Sequence, residues 1–233
     1  MKYHYTAYHA GLGDHLQYST LPEMLTKLGH KVHLWEKAEF RNPGIKDLIM
    51  RNPYILPPVP GAEWNLGDIP GLPYENTQKC FIMNWEKSFG LEPTNCLPKI
   101  YYEPKQNCKF GGIIELSAIH HKYNPEILVS AASQLMEARK DVEWHQLVSP
   151  AQSNLVLIPG VPTLEISDIF QLCDVIAQSC IFASCMSGQH SLAAAIQRIN
   201  PHFEQFCFIP EKDFKGVMES KKFIYPNVEY YQT

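Results

Sequence analysis

Gly11-Leu12-Gly13-Asp14-His15-Leu16-Gln17-Tyr18-Ser19-Thr20-Leu21-Pro22 is the stretch whose reading decides the fold. Before it lies an aromatic, β-prone run, Tyr3 to Tyr8. From Asp14 to Leu28 the residues Leu16, Leu21, Met24, Leu25 and Leu28 recur at helical spacing. Gly29 stands where a glycine often ends a helix. Val32, Leu34 and Trp35 then begin a second strand. Strand, turn, helix and strand make a β-α-β unit, whose strands pair in parallel.

Working outward, Ile45 to Met50 predicts a short helix. Six prolines fall between residues 52 and 74, which predicts a loop-rich stretch with one short strand near Ile55. Thr77 to Phe89 reads as helix and Leu97 to Tyr102 as an extended crossover. The polar run Pro104 to Lys109 reads as a linker. A second alternating series follows. Its strands are Phe110–Leu116, Val142–Val148, Leu155–Ile158, Ile181–Cys185 and, last, Phe206–Ile209. Its helices are Pro125–Arg139, Leu164–Gln178 and the Ala-rich Ser191–Ile199, with a short helix and an aromatic end in the tail. The pattern divides the chain into two halves, 1–104 and 105–233.

Composition narrows the function. The 233 residues are 45% hydrophobic and 12% aromatic, enough for a packed core. A net charge of −4 disfavours a nucleic-acid surface, and so a nucleic-acid acceptor, without removing a local basic patch. No stretch approaches the ~20 apolar residues of a membrane helix. The N-terminus lacks a secretory apolar core. The seven cysteines, at 80, 96, 108, 173, 180, 185 and 207, include no Cys-x-x-Cys pair. That pattern predicts reduced thiols and a cytoplasmic protein, with Cys180 and Cys185 in the core and no zinc site.

Three strand-to-helix turns can carry chemistry. In the first, Gly11 and Gly13 permit a tight turn and close ligand approach. Asp14 there is either an N-cap or a carboxylate held at the carboxyl edge of a parallel sheet. It is not a dinucleotide fingerprint, because Leu16 stands where the third glycine belongs. In the second, His120-His121-Lys122-Tyr123-Asn124-Pro125-Glu126, Lys122 either holds phosphate as a point charge or sits in a solvated loop. In the third, Ser184 to Ser191, Ser187 and Gly188 offer amides and a helix dipole to an anion, with His190 as a further donor. The structural alternative is a core helix capped by Ser187 or Ser191.

With these turns in place the chain resembles the heptosyltransferase-like glycosyltransferases. Residues 11–22 followed by Leu28-Gly29-His30-Lys31-Val32 look like their amino-terminal signature. Lys122-Tyr123-Asn124-Pro125-Glu126 is similar to their Lys-x-Trp-Pro-Glu segment. Ser187-Gly188 with the Ala-rich helix is similar to their Asp-Ser/Thr-Gly-x-x-His-Leu-x-Ala-Ala segment.

The resemblance implies a GT-B architecture, two small Rossmann-like domains with parallel sheets facing a central cleft. The first would be the acceptor side and the second would bind a nucleotide-diphosphate sugar. It implies inverting, metal-independent transfer with no cofactor, the nucleotide-sugar being a substrate. Asp14 would be the general base for an unidentified acceptor hydroxyl. Lys122, Ser187, Gly188 and His190 would hold the donor diphosphate. Gly160, Val161 and Thr163 would lie near the nucleobase. The chain has no Asp-x-Asp motif, which suits a metal-free transfer. It departs from the family at Met186, where an aspartate is usual, and at Ser191, where the histidine would fall; His190 is one place earlier. Those departures keep open an inactive nucleotide-sugar-binding or scaffold protein. An epimerase or hydrolase on the same fold is a third reading.

Overall fold

In the computed structural model the opening unit forms as strand β1 (Lys2–Tyr5), helix α1 (Leu12–Gln17), helix α2 (Leu21–Lys27) and strand β2 (Lys31–Leu34). The single helix expected from Asp14 to Leu28 is therefore two. Pro22 lies in the first turn of α2, where its missing N–H costs nothing; within a continuous helix it would break the ladder. Gly29 adopts φ +81°, and its N–H and that of His30 reach back to Thr26 O and Leu25 O at 2.9 and 3.0 Å. This is a Schellman ending, at the glycine where the sequence predicts the helix to stop. The structure describes residues 1–7, 10–60, 64–65, 80–107, 109–117, 123–149, 155–200, 202–221 and 223–233.

The chain continues through α3 (Pro43–Ile49), β3 (Ile55–Leu56), β4 (Trp64–Asn65) and α4 (Phe81–Ser88). The strand expected near Ile55 is present. β4 is a second one that the proline density concealed. The start of the helix expected at Thr77 lies outside the described residues. The four strands form one parallel sheet in the order β3-β2-β1-β4.

The second series comprises β5 (Phe110–Glu115), α5 (Pro125–Ala138), β6 (Trp144–Val148), β7 (Thr163–Glu165), α6 (Ile169–Ala177), β8 (Ser179–Cys185), α7 (Gly188–Ile196), β9 (Glu204–Ile209), α8 (Glu211–Ser220) and β10 (Val228–Gln232). Its sheet runs β10-β9-β8-β5-β6-β7, parallel throughout. This is the doubly wound order, with its reversal between β5 and β8. Alternate residues Ile114, Ile181, Ala183, Cys185, Phe206 and Phe208 pack on Leu128, Ala132 and Leu135 of α5. Gly112 is required by close approach: a Cβ there would meet the Trp144 ring at 2.6 Å.

Three expectations change here. Leu155–Ile158 is not a strand. Gln146 intercepts its backbone, donating through Nε2 to Val156 O and accepting from Ile158 N at 2.8 Å. The third strand is instead β7, and α6 accordingly begins at Ile169, after Asp168 accepts from the Phe170 and Gln171 amides, each at 2.8 Å. β9 is not the last strand, because β10 pairs beside it.

Two compact units result, 1–103 with 218–226 and 104–217 with 227–233. The return of 218–226 to the first unit is absent from a simple division at 104/105. There Tyr225 accepts a hydrogen bond from Gln17 Nε2 at 2.5 Å. The thiol reading also needs correction. Cys80 and Cys96 form a disulfide, and Cys180 is exposed on β8, whereas Cys185 is buried as expected. Cysteines sixteen residues apart pair because the turn after α4 returns the chain beside its start. Among the described residues no helix is long and apolar enough to cross a membrane.

Candidate functional site

The first locus lies beyond the carboxyl end of β1. Gly11, not Asp14, is the N-cap of α1, so Gly13 and Asp14 belong to its first turn. Asp14 is half-buried. A Cβ on Gly11 would lie 2.9 Å from Asp14 Oδ2 and 3.5 Å from Arg41 Nη2. A side chain at this position would press on a carboxylate and a guanidinium that share the space over it.

The neighbouring residue fastens this locus. His15 is fully buried, stacked on Phe40 at 4.4 Å and on Tyr5 at 5.9 Å. Its Nε2 lies 3.0 Å from Glu39 O. A carbonyl only accepts, so Nε2 carries the hydrogen. Burial lowers the His15 pKa to about 4, which leaves the ring neutral at pH 7. Tyr5 donates its hydroxyl to His15 O at 3.0 Å, and Arg41 N donates to Ala10 O at 2.8 Å. The 39–41 segment is therefore tied to both sides of the Asp14 turn.

The second locus is the reversal between β5 and β8, where a doubly wound sheet opens a crevice. Glu115 ends β5 in register with Ser184. It is fully buried and accepts from both the amide and the hydroxyl of Ser117. Burial raises its pKa to about 7 against the opposing pull of those bonds. Across from it, β8 gives way to Met186, Ser187 and α7. Ser187 occupies the N-cap but donates to Gln189 Oε1 at 2.9 Å, so α7 starts without a side-chain cap. By contrast, Asn42, Asn124 and Asp168 cap α3, α5 and α6.

Ser187 and Gly188 thus stand at the reversal point, at the start of a nine-residue helix. Lys122, His120 and His121 lie outside the described residues. His190 does not face this turn. It is fully buried, its Nδ1 accepting from Gln205 Nε2 at 2.9 Å and its Nε2 lying 3.5 Å from Tyr230 OH. One residue of helix rotation, ~100°, separates a side chain that lines a turn from one that packs inward. Gly160 and Val161 precede β7 and Thr163 opens it, two strands from β5; Thr163 pairs with Gln146, which pairs with Ile114 one residue before the end of β5. Sequence reasoning missed Glu115, Tyr123 and Arg41. A charged residue ending the apolar Ile113-Ile114 run was the available signal for the first. Among the described residues no group of three His, Cys, Asp or Glu side chains is placed to hold a metal.

No protein-family model and no curated protein sequence matches the chain. Solved structures do. The iron-containing dodecameric glycosyltransferase TibC from enterotoxigenic E. coli H10407 aligns with a TM-score of 0.62 at 9% identity, over 97% of this chain and 63% of its own. This chain thus spans under two thirds of TibC's length. E. coli heptosyltransferase WaaC with ADP aligns at TM-score 0.59 and 10% identity, over 100% of this chain and 91% of its own. A family 9 glycosyl transferase from Veillonella parvula gives 0.63 and 8%, over 100% and 85%. At such identities the likeness establishes architecture, and the chain has the GT-B-type α/β fold of the heptosyltransferases and family 9 glycosyltransferases.

Proposed function

We propose that this protein is a small inverting, metal-independent glycosyltransferase that moves a sugar from a nucleoside-diphosphate donor to an acceptor hydroxyl. The observation that carries the reading is the placement of two turns. The Gly11–Asp14 turn follows the first strand of one parallel sheet, and the Ser187–Gly188 turn stands at the reversal point of the other. Both belong to a fold shared with glycosyltransferases along the whole chain.

In this mechanism the acceptor hydroxyl gives its proton to the Asp14 carboxylate as its oxygen attacks the anomeric carbon. The bond from that carbon to the diphosphate breaks with its electron pair on the leaving oxygen. Single displacement inverts the centre through an oxocarbenium-like state. Lys122 and the amide end of α7 offset the charge that leaves. The nucleotide-sugar is the substrate and no cofactor takes part. Met186 at the position of the family's aspartate, together with the inward His190, supports the second reading, a nucleotide-sugar-binding protein that does not turn over.

The test is a pair of measurements on wild type and Asp14→Ala. ADP, the nucleotide held by WaaC, is the first binding probe, and transfer is followed from ADP-sugars to an acceptor panel. Transfer in Asp14→Ala should fall on the order of 10²- to 10⁴-fold with ADP binding unchanged. Full transfer in the variant sinks the base assignment. Binding without turnover in the wild type selects the second reading.

A further inference from the structure

We propose that the Tyr123 hydroxyl is the group that fixes the Met186–Gly188 turn, making Tyr123 a positioning residue for the anion end of α7; its relevance to ligand rests on the donor site proposed above. The geometry is a bridge. Tyr123 OH accepts from Met186 N at 3.0 Å and donates to Phe208 O at 2.8 Å. A phenolic hydroxyl has one hydrogen and accepting lone pairs, so both bonds form at once.

Met186 directly follows β8, and Phe208 pairs with Cys185 in the last rung between β8 and β9. The hydroxyl therefore stands between a donor and an acceptor where the ladder stops. It satisfies both groups as the chain leaves the sheet to begin α7. Neither group is left unpaired beside a buried core, a condition that is costly for each such group.

Tyr123 is itself held on two sides. Its ring packs against the cluster of Ile114, Leu128 and Phe208. Its neighbour Asn124 caps α5, accepting from Glu126 N at 3.0 Å. Burial pushes the phenol's pKa up, so the hydroxyl stays a donor across the working pH range. In the chain Tyr123 directly follows Lys122. One side chain thus links the start of α5 to the start of α7.

The experiment compares wild type with Tyr123→Phe, which keeps the ring and removes the bridge. Val129→Ala serves as a control that loosens the same cluster without touching the hydroxyl. Amide exchange at Met186 to Gly188 should accelerate about tenfold or more in Tyr123→Phe and not in Val129→Ala at matched melting temperature. ADP affinity should fall about tenfold in the first variant only. Unchanged exchange at the turn in Tyr123→Phe overturns the proposal, as does equal acceleration in the control. A wild type that binds no ADP overturns the donor-site reading instead, and the exchange comparison still decides the role of the hydroxyl.

Discussion

In the first unit the strands run β3-β2-β1-β4, and in the second the same pattern appears as β7-β6-β5-β8 before β9 and β10 extend it. The shared pattern ends there. Among the described residues β3 and β4 are two residues each, while β8 has seven and β5 and β9 have six. A long central strand buries alternating apolar residues on both faces, as β8 does with Ile181, Phe182, Ala183 and Cys185. A two-residue strand cannot.

The first unit holds itself by other means. Cys80 is bonded to Cys96. Glu86, fully buried, accepts from Thr20 Oγ1 at 2.8 Å and from the amide and hydroxyl of Thr94, each at 2.6 Å. Glu23 gathers Lys27, Lys99 and Tyr101, and these partners overcome partial burial to hold its carboxyl down near a pKa of about 2. The contrast teaches that a parallel sheet can be kept with little ladder if covalent and polar ties hold the connecting segments.

The largest effect that breaks this contrast is loss of the disulfide. Cys96→Ser opens a loop spanning sixteen residues and should lower the first unit's stability by about 3 kcal/mol. Exchange of slowly exchanging amides, read unit by unit, checks it. An equal loss in the second unit contradicts the assignment of the tie to the first.

Next in size is an opposed response to pH. Glu115 titrates near 7 in the folded chain against about 4.5 when unfolded. Its contribution is fully present below the unfolded value and is lost as pH rises through about 7. His15 titrates near 4 against 6.5 unfolded, so its contribution is present above 6.5 and lost as pH falls through about 4. Between pH 8 and pH 5 the second unit should gain on the order of 1–3 kcal/mol. Between pH 6.5 and pH 4 the first should lose a similar amount. Glu115→Gln and His15→Phe should each flatten one profile and leave the other.

The smallest expected effect on stability sharpens the contrast at the sites. Gly11→Ala places a methyl 2.9 Å from Asp14 Oδ2 and must move the carboxylate. With φ −78° the backbone accepts alanine, so stability should change by about 1 kcal/mol or less. Transfer should fall on the order of 10- to 100-fold with ADP binding intact. Wild-type rates would show that the carboxylate's placement over Gly11 is not used.

The parallel α/β order was legible because periods of two and of three to four residues are local. Leu21 and Leu25 announce the helix α2, although the periodicity runs through the break between α1 and α2 that Pro22 marks, and Ile181 to Cys185 announces a buried strand. The turn chemistry was legible for the same reason at Gly29 and around Ser187. His190 was misread because facing inward or outward is settled by what lies beside the helix, here Gln205 and Tyr230 from two later strands. Leu155–Ile158 was misread because the side chain of Gln146 competes for its backbone.

The sequence by itself therefore determined two β-α series, the position of Asp14 in the first turn after the first strand, and a polar turn from Ser184 to Ser191 leading into an Ala-rich helix, which the sequence starts at Ser191 and the structure at Gly188. Only the tertiary structure decided that Cys80 meets Cys96, that residues 218–226 return to the first unit, and that Glu115 and Tyr123 flank the reversal between β5 and β8. The reason is physical. Propensity and periodicity act between residues a few positions apart, whereas these pairings join distant segments and arise only when packing closes the loops between them.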